Sequence, residues 1–335
     1  MADEPLLRVE NLTTVFDLPG GAVPAVDDIS FEIRAGETLG LVGESGSGKS
    51  VTALSIMRLV QPPGRVAGGR LLFKGRDLST LDERDMRRVR GADIALIFQE
   101  PMTALNPVFR IGDQIAETLR VHGRASRAEA AAKAVELLDA VRIPDAAARV
   151  RDYPHQLSGG MRQRVLIAMA LACQPALVIA DEPTTALDVT IQAEILDLLR
   201  DMKARFRLSL LLITHDLGVI AETADRVAVM YAGRIVETGP VRALFQNPSH
   251  PYTRGLLASI PGGAPGHRLK AIEGSVPRLG ALPSGCAFGP RCPDRFDLCA
   301  TAPPPDYPVG ADHTAKCYLY APHSALRTPH SNASR

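Results

Sequence analysis

The stretch Gly43-Glu-Ser-Gly-Ser-Gly-Lys-Ser50 decides the fold of this 335-residue chain. It fits the pattern G-x-x-x-x-G-K-[ST] of a phosphate-binding loop, the P-loop. The apolar run 37–42 before it is typical of a buried strand, and the run 51–57 after it is typical of a helix. Strand, glycine-rich loop and helix form the context in which this loop holds phosphate. The sequence therefore predicts a nucleotide site here, in preference to a glycine-rich turn that binds nothing.

The residue types in the loop suit phosphate chemistry. Glycines permit positive φ angles and a concave row of N–H donors. The lysine supplies a point charge for the β- and γ-phosphates, and the last serine offers a hydroxyl to Mg²⁺. The predicted nucleotide-binding residues are Gly43, Glu44, Ser45, Gly46, Ser47, Gly48, Lys49 and Ser50.

Two acidic residues follow a second apolar run, 176–180. A carboxylate at the end of a buried strand beside a P-loop is placed to hold Mg²⁺, so we assign Asp181 to that role. The next residue, Glu182, can orient or deprotonate an attacking water, an effect of about 10²–10⁴ in rate. The plain alternative, an acidic pair facing solvent, is less consistent with the neighbouring P-loop.

A second phosphate-binding pattern is the run Leu157-Ser-Gly-Gly-Met-Arg-Gln-Arg164, which precedes an apolar helical segment. Free N–H groups and the dipole of a helix start attract anions, and glycine lets a phosphate come close. Ser158, Gly159 and Gly160 are therefore candidate phosphate contacts. Taken alone, the run could equally be a Gly-Gly turn before a core helix.

In this order, the motifs resemble those of the ATP-binding subunits of ABC transporters over residues 8 to about 245. The resemblance implies that Gln99 touches Mg²⁺ and the attacking water, and that His215 contacts the γ-phosphate. It also implies that Phe16 stacks on adenine, and that Asp188, in the run 186–188, links two ATP sites across a dimer. The signature run at 157–163 then serves the ATP of the opposite subunit.

Two positions depart from the family pattern without removing a catalytic group. Met161 stands where the family usually has Gln, so a ribose contact would be missing, and Thr185 stands where many members have Ser. We therefore expect a site that hydrolyses ATP.

The resemblance also implies the fold class, an α/β P-loop NTPase with a RecA-like core, an antiparallel β part and a helical subdomain. We expect an ATPase domain at 1–245, with its helical subdomain at about 100–172, and an irregular extension at 246–335. Alternating apolar runs agree with a layered core. The predicted strands include Leu71–Phe73, Ile94–Phe98, Leu177–Asp181, Ser209–Thr214 and Val227–Tyr231. The predicted packing faces of two helices comprise Ala131, Val135 and Leu138, and Ile191, Ile195, Leu198 and Met202.

Composition narrows the function classes. The net charge of +1 lacks the basic excess that is typical of nucleic-acid binding. No apolar run approaches the roughly 18–20 residues that a membrane helix needs. The first residues lack the pattern of a signal peptide. We expect a protein at the cytoplasmic face of the membrane, reaching it through partners and binding no nucleic acid.

The sequence changes character after residue 239, where 15 of the 26 prolines lie. The run His250-Pro-Tyr-Thr-Arg-Gly-Leu-Leu257 and the cysteine-containing run 283–293 resemble the C-terminal extension of oligopeptide, dipeptide and nickel importers. That branch usually pairs two different ATPases. The resemblance implies a paralogous second ATPase, two transmembrane permease subunits and an extracytoplasmic peptide-binding protein. Nickel or another small solute remains the alternative cargo. A soluble ABC ATPase of DNA repair or translation, or a non-catalytic nucleotide sensor, is the alternative class.

Four of the five cysteines lie in this extension, at Cys286, Cys292, Cys299 and Cys317. A reducing compartment disfavours disulfides, and the spacing differs from the paired C-x₂-C of zinc ribbons. Four thiolates on an irregular loop suit an iron–sulfur cluster, and some members of the branch carry [4Fe–4S] at such a motif. Zinc and free structural thiols remain open. Cys173, in the apolar helix after the signature, is predicted to be a core residue.

Overall fold

The computed structural model describes residues 4–100, 104–185, 187–260, 272–278 and 280–322. Ala186 of the predicted 186–188 loop and the last residues of the extension lie outside the described residues. The described chain forms two sheets. Their strands are β1 Leu7–Leu18, β2 Gly21–Ile33, β3 Thr38–Val42, β4 Gly64–Phe73, β5 Arg76–Asp77, β6 Ile94–Ile97, β7 Leu177–Asp181, β8 Ser209–Thr214, β9 Arg226–Tyr231, β10 Arg234–Pro240, β11 Tyr307–Gly310 and β12 His313–Ala315.

The smaller sheet is antiparallel and has the order β2-β1-β4-β5 within the described ranges. The larger sheet has the order β11-β12-β10-β9-β3-β8-β7-β6. Its strands from β9 to β6 run parallel, and the other three add antiparallel at one edge. The predicted strand runs are confirmed. All residues of β3, β7 and β8 are buried, as expected for parallel strands covered on both faces.

Helices pack around the larger sheet and form a separate cluster between β6 and β7. The described helices are α1 Lys49–Ile56, α2 Glu83–Val89, α3 Ile111–Val121, α4 Arg127–Ala140, α5 Ala146–Arg149, α6 Gly159–Leu171, α7 Val189–Phe206, α8 Leu217–Thr223, α9 Val241–Gln246 and α10 Pro251–Ala258. The segment from α3 to α6 is the helical part predicted at about 100–172. Within the described ranges, no helix is long and apolar enough to cross a membrane.

The predicted packing face of α4 was partly wrong. Ala131 is exposed, and the buried positions are Ala130, Ala134 and Leu138, one residue away on the helix. An i, i+4, i+8 stripe of two alanines and one leucine lets α4 lie close to its neighbours. The predicted face of α7 is confirmed, because Ile195, Leu198 and Met202 are buried and Ile191 is half-buried.

The C-terminal extension is attached to the ATPase core through a buried carboxylate. Glu237 of β10 accepts hydrogen bonds from the backbone N–H groups of Ser249 and His250, at 2.7 and 2.9 Å. Its carboxylate also lies 2.8 Å from Nε2 of His313, on β12. Because β12 pairs with β10, the extension continues the central sheet, which the broken, proline-rich sequence did not indicate.

Candidate nucleotide site

A large cavity lies where the parallel strands β3, β7 and β8 end. It has a volume of about 1010 Å³ and is lined by Phe16, Ala25, Gly43, Glu44, Ser45, Gly46, Gly48, Lys49, Ser50, Val51, Gln99, Glu182, His215, Leu256, Gly274, Ser275 and Val276. Carboxyl ends of parallel strands meet at one edge of a sheet and form the usual binding crevice of such folds. The P-loop follows β3, the acidic pair begins at the end of β7, and His215 follows β8. Three motifs that are far apart in sequence therefore face one cavity.

Close packing requires glycine at two P-loop positions. A Cβ atom at Gly43 would lie 2.1 Å from the carbonyl oxygen of Met230. Gly48 has φ +103°, and a Cβ atom there would lie 2.6 Å from the carbonyl oxygen of Ala25. Both contacts are shorter than a Cβ atom tolerates, so only glycine lets the loop backbone lie this close to the core.

Lys49 is held at the start of α1 with its amine inside the loop. The side chain is buried, with 5% of the residue exposed, and Nζ donates to the carbonyl oxygens of Gly43 and Glu44 at 2.8 and 3.1 Å. Burial lowers the pKa of Lys49, and the nearby carboxylates of Glu182, Asp181 and Glu44 oppose that shift. The amine is therefore partly desolvated, which strengthens its attraction to an anion in the cavity.

Ser50 and Asp181 form an oxygen pair beside the loop. Ser50 Oγ donates to Asp181 Oδ1 at 3.1 Å. Burial raises the pKa of Asp181, while the Ser50 hydrogen bond opposes the shift. A hydroxyl and a carboxylate side by side are the ligand types that Mg²⁺ prefers. The donor set at this point of the cavity fits a magnesium ion.

Glu182 is the centre of a polar cluster. Its carboxylate accepts from Gln99 Nε2 at 3.0 Å and from Thr185 Oγ1 at 2.8 Å, and lies 3.3 Å from Nδ1 of His215. Glu182 has φ +46°, in the left-handed region that non-glycine residues seldom adopt. Its backbone N–H donates to Ile213 at 2.8 Å, which holds this conformation. The structure thus brings together Gln99, Glu182 and His215, as predicted, and adds Thr185.

The signature residues lie apart from this cavity. Among the described residues that line it, none comes from the run 158–160, and Asp188 is also not among them. Ser158 caps α6 by accepting from Met161 N at 3.3 Å, and Asp188 caps α7 by accepting from Ile191 N at 3.0 Å. Ser158 is exposed, with Gly159 beside it. The second phosphate-binding pattern therefore lies at an exposed helix start, and its residues do not line the cavity of their own chain.

The cavity has walls that sequence reasoning missed. Phe16 lines it as expected, but Leu256 and the segment Gly274, Ser275 and Val276 also line it and belong to the extension. The extension further contacts the P-loop itself through Arg291 and Tyr252, which bond to Glu44. The only sequence signal was indirect, since both residues lie in the runs that mark the extension.

The four cysteines of the extension gather at one point. Cys286, Cys292, Cys299 and Cys317 line an enclosed space of about 10 Å³. Burial raises the pKa of Cys292 and of Cys317 to about 11. Their donor chemistry fits a four-thiolate centre, but the arrangement is not that of ligands around a metal: no group of three or more His, Cys, Asp or Glu in the described chain could hold a metal ion. Cys173 is buried in the core, as predicted.

Comparisons with known proteins agree with this geometry. The family described as ABC transporter matches residues 26–185, and the family described as oligopeptide/dipeptide transporter, C-terminal region, matches residues 236–299. The oligopeptide transport ATP-binding protein AppD of Bacillus subtilis is 52% identical to this chain. The match covers 94% of this chain and 97% of the length of AppD. This chain belongs to the ATP-binding proteins of the ABC transporter family, in the oligopeptide/dipeptide branch.

Other members of this ABC family are similarly close. The oligopeptide transport ATP-binding protein OppD of Escherichia coli is 51% identical, over 90% of this chain and 89% of its own. Among solved structures, the dimeric ATP-binding cassette MJ0796, in a post-hydrolysis state bound to ADP and Pi, matches with a TM-score of 0.64 and 26% identity. That match covers 70% of this chain and 99% of the cassette, so the cassette fold is confirmed.

Proposed function

We propose that this chain is the ATP-hydrolysing subunit that powers import of dipeptides or oligopeptides through a membrane permease complex. The observation that carries the proposal is the Glu182 cluster at the mouth of the P-loop cavity, where Gln99 and His215 converge on one carboxylate. The match of residues 236–299 to the peptide-transporter extension supports the cargo. We divide the chain into an ATPase domain at 1–245 and the extension at 246–335, joined at the central sheet.

We assign roles to the side chains of the cavity. Lys49 and the P-loop N–H groups other than those of Glu44 and Ser47, which donate within the chain, bind the phosphates of ATP. Phe16 stacks on adenine. Glu182 holds the attacking water and takes its proton, while His215 contacts the γ-phosphate. Hydrolysis of ATP depends on positioning and on electrostatic stabilisation of the transferred phosphoryl group. The cavity supplies both, because its loop donors and its partly desolvated amine are preorganised.

Mg²⁺ belongs to this site. Ser50, Asp181 and Gln99 would hold it, and the ion would neutralise charge on the β- and γ-phosphates. The 3.1 Å Ser50–Asp181 contact supports the assignment, because both oxygens already face each other next to Lys49.

The exposed signature supports a dimer in which each chain completes the other's site. Ser158, Gly159 and Gly160 would meet the γ-phosphate bound to the second ATPase, and Asp188 would link the two sites. Closure of the dimer around ATP, and its reopening after hydrolysis, would switch the permease between two conformations. We propose that the second ATPase is a paralogue.

The remaining partners follow from the branch. Two permease subunits would anchor this chain at the cytoplasmic face of the membrane, and an extracytoplasmic peptide-binding protein would deliver cargo. Exposed Phe98, Val108 and Phe109 lie near Gln99 in sequence and supply apolar surface for a permease contact.

Transport by the whole complex tests the cargo. We expect ATP-dependent uptake of a labelled dipeptide into proteoliposomes, competed by unlabelled peptides and not by nickel. A complex carrying Lys49→Ala is the matched control for uptake without hydrolysis. ATP-dependent nickel uptake without peptide competition would establish the alternative cargo. ATP turnover by the chain without any permease-dependent uptake would favour a soluble ABC ATPase, and absence of turnover would favour a sensor.

We also propose that Cys286, Cys292, Cys299 and Cys317 hold a [4Fe–4S] cluster. Two observations support the proposal. The four cysteines line one space, and within the described chain none of them forms a disulfide. That space is about 10 Å³, and the described cysteines as placed form no group that could hold a metal ion. The surrounding loops would therefore have to rearrange to admit a cluster. The cluster would bring four sulfur ligands of the chain into one rigid unit.

Metal analysis tests this assignment. After anaerobic purification we expect about four iron and four inorganic sulfide per chain, with a brown colour. The Cys292→Ser variant should lose most of the iron, whereas Cys173→Ser, a buried cysteine outside the extension, should keep it. A colourless protein with one zinc per chain would refute the cluster in favour of zinc. Protein that contains neither iron nor zinc would show that the four cysteines are free thiols.

A further inference from the structure

We propose that Arg291 and Tyr252, in the C-terminal extension, are positioning residues for the P-loop, so that the extension is part of the nucleotide site. The proposal rests on the ATP-binding function proposed above, because it concerns how the P-loop is held for its phosphates. It assigns these two residues a role through Glu44 and not through direct contact with ATP.

Arg291 fixes the side chain of Glu44. Its Nη1 and Nη2 donate to the two carboxylate oxygens of Glu44 at 2.6 and 3.0 Å, a bidentate pair. Only 5% of the Arg291 side chain is exposed. The same guanidinium donates to the carbonyl oxygens of Glu273, Ile272 and Gly274, at 2.9, 3.3 and 3.3 Å. One buried cation therefore ties the P-loop to the segment 272–274.

Tyr252 fixes the backbone of the same residue. Its hydroxyl accepts the Glu44 N–H at 2.8 Å, and the residue is fully buried. The ring packs against Tyr231 and Phe288, with centroids 4.6 and 5.4 Å apart. Since this aromatic cluster joins the ATPase core to the extension, Glu44 is held at both its backbone and its carboxylate by residues that arrive more than 200 positions later.

The tied segment also shapes the cavity. Gly274, Ser275 and Val276 line the same space as the P-loop, together with Leu256 of α10. Displacement of Arg291 would release both this wall and Glu44. The extension thus supplies one side of the space that the nucleotide enters.

The charges of Arg291 and Glu44 predict whether loss of their contact strengthens or weakens ATP binding. The Glu44 carboxylate acts electrostatically on Lys49, whose amine also bonds to the Glu44 carbonyl. Paired with Arg291, the carboxylate is neutralised. Without Arg291 it becomes an uncompensated negative charge that competes with the phosphates for Lys49. Loss of Arg291 should therefore weaken binding of a triphosphate, and the loss should depend on the charge of Glu44.

The test measures the dissociation constant of ATP on the full-length chain by titration calorimetry. Arg291→Gln is expected to raise Kd roughly tenfold, the effect of losing hydrogen bonds to a charged group. The same substitution in a Glu44→Gln background is expected to change Kd less than about twofold, since no carboxylate remains to be neutralised. Tyr252→Phe removes only the acceptor oxygen and is expected to raise Kd by about threefold to tenfold.

Arg254→Gln is the matched control. Arg254 pairs with Asp294 at 2.6 Å, also within the extension, but the pair is solvent-exposed and the Arg254 hydrogen bond given by the structure goes to Asp294. Its Kd for ATP should match that of the wild type. If Arg291→Gln does not fold, Tyr252→Phe and Arg291→Lys, which keeps the charge, decide the question.

An unchanged Kd in both Arg291→Gln and Tyr252→Phe, with only a lower Tm, would show a merely structural contact and overturn the inference. An equal loss of affinity in the Glu44→Gln background would overturn it too. A wild-type chain that binds no ATP would instead refute the proposed function, so the two failures are distinguishable.

Discussion

Replacing Glu182 with Gln is expected to lower ATP turnover by about 10²- to 10⁴-fold while ATP binding persists. Glutamine keeps the size of the side chain and one acceptor oxygen for Gln99 and Thr185, so the cluster is preserved. What is lost is the carboxylate that takes the proton of water. Phosphate release should nearly stop, and ATP-bound dimers should accumulate in light scattering.

Glu222→Gln provides the control for this prediction. Glu222 is an exposed residue of α8, away from the cavity lining, and its substitution should leave turnover unchanged. Undiminished phosphate release from the Glu182 variant would refute its assignment as the base. Loss of ATP binding together with turnover would instead indicate that the carboxylate holds the loop in place.

Ser158→Arg is expected to reduce turnover at the partner's ATP site by about 10²-fold or more, because it blocks donors at a helix start that would stabilise the transferred phosphoryl group. Ser158 is exposed and outside the cavity lining of its own chain, so its own ATP affinity should hardly change. The measurement combines ATP titration of the single subunit with turnover of the assembled complex.

Lys49→Ala should give the opposite pattern in the same experiment. Its amine lies inside the P-loop, so ATP binding to the variant chain itself should be lost. In a dimer of two distinguishable ATPases, each variant would then damage a different site. If Ser158→Arg and Lys49→Ala both abolished ATP binding of their own chain, the signature would belong to the local site and the shared-site proposal would fail.

Much of the site was readable from the sequence because its parts are short and local. The P-loop needs only residues 43–50 and the strand and helix that flank it. The buried runs of β7 and β8 predicted where the acidic pair and His215 would end up, because parallel strands place their carboxyl ends together. The face of α4 was partly misplaced, because alanines at 128, 130–132 and 134 mark no single face of the helix.

The sequence alone was thus enough to locate the residues that we propose for the nucleotide site: the loop, the acidic pair, His215 and the signature. Only the tertiary structure decided how distant parts meet. It separates the signature from the cavity of its own chain, and it joins Arg291 to Glu44 across 247 positions. Such a pairing has no local pattern, since it depends on how the extension folds back along β10 and packs Tyr252 against the core.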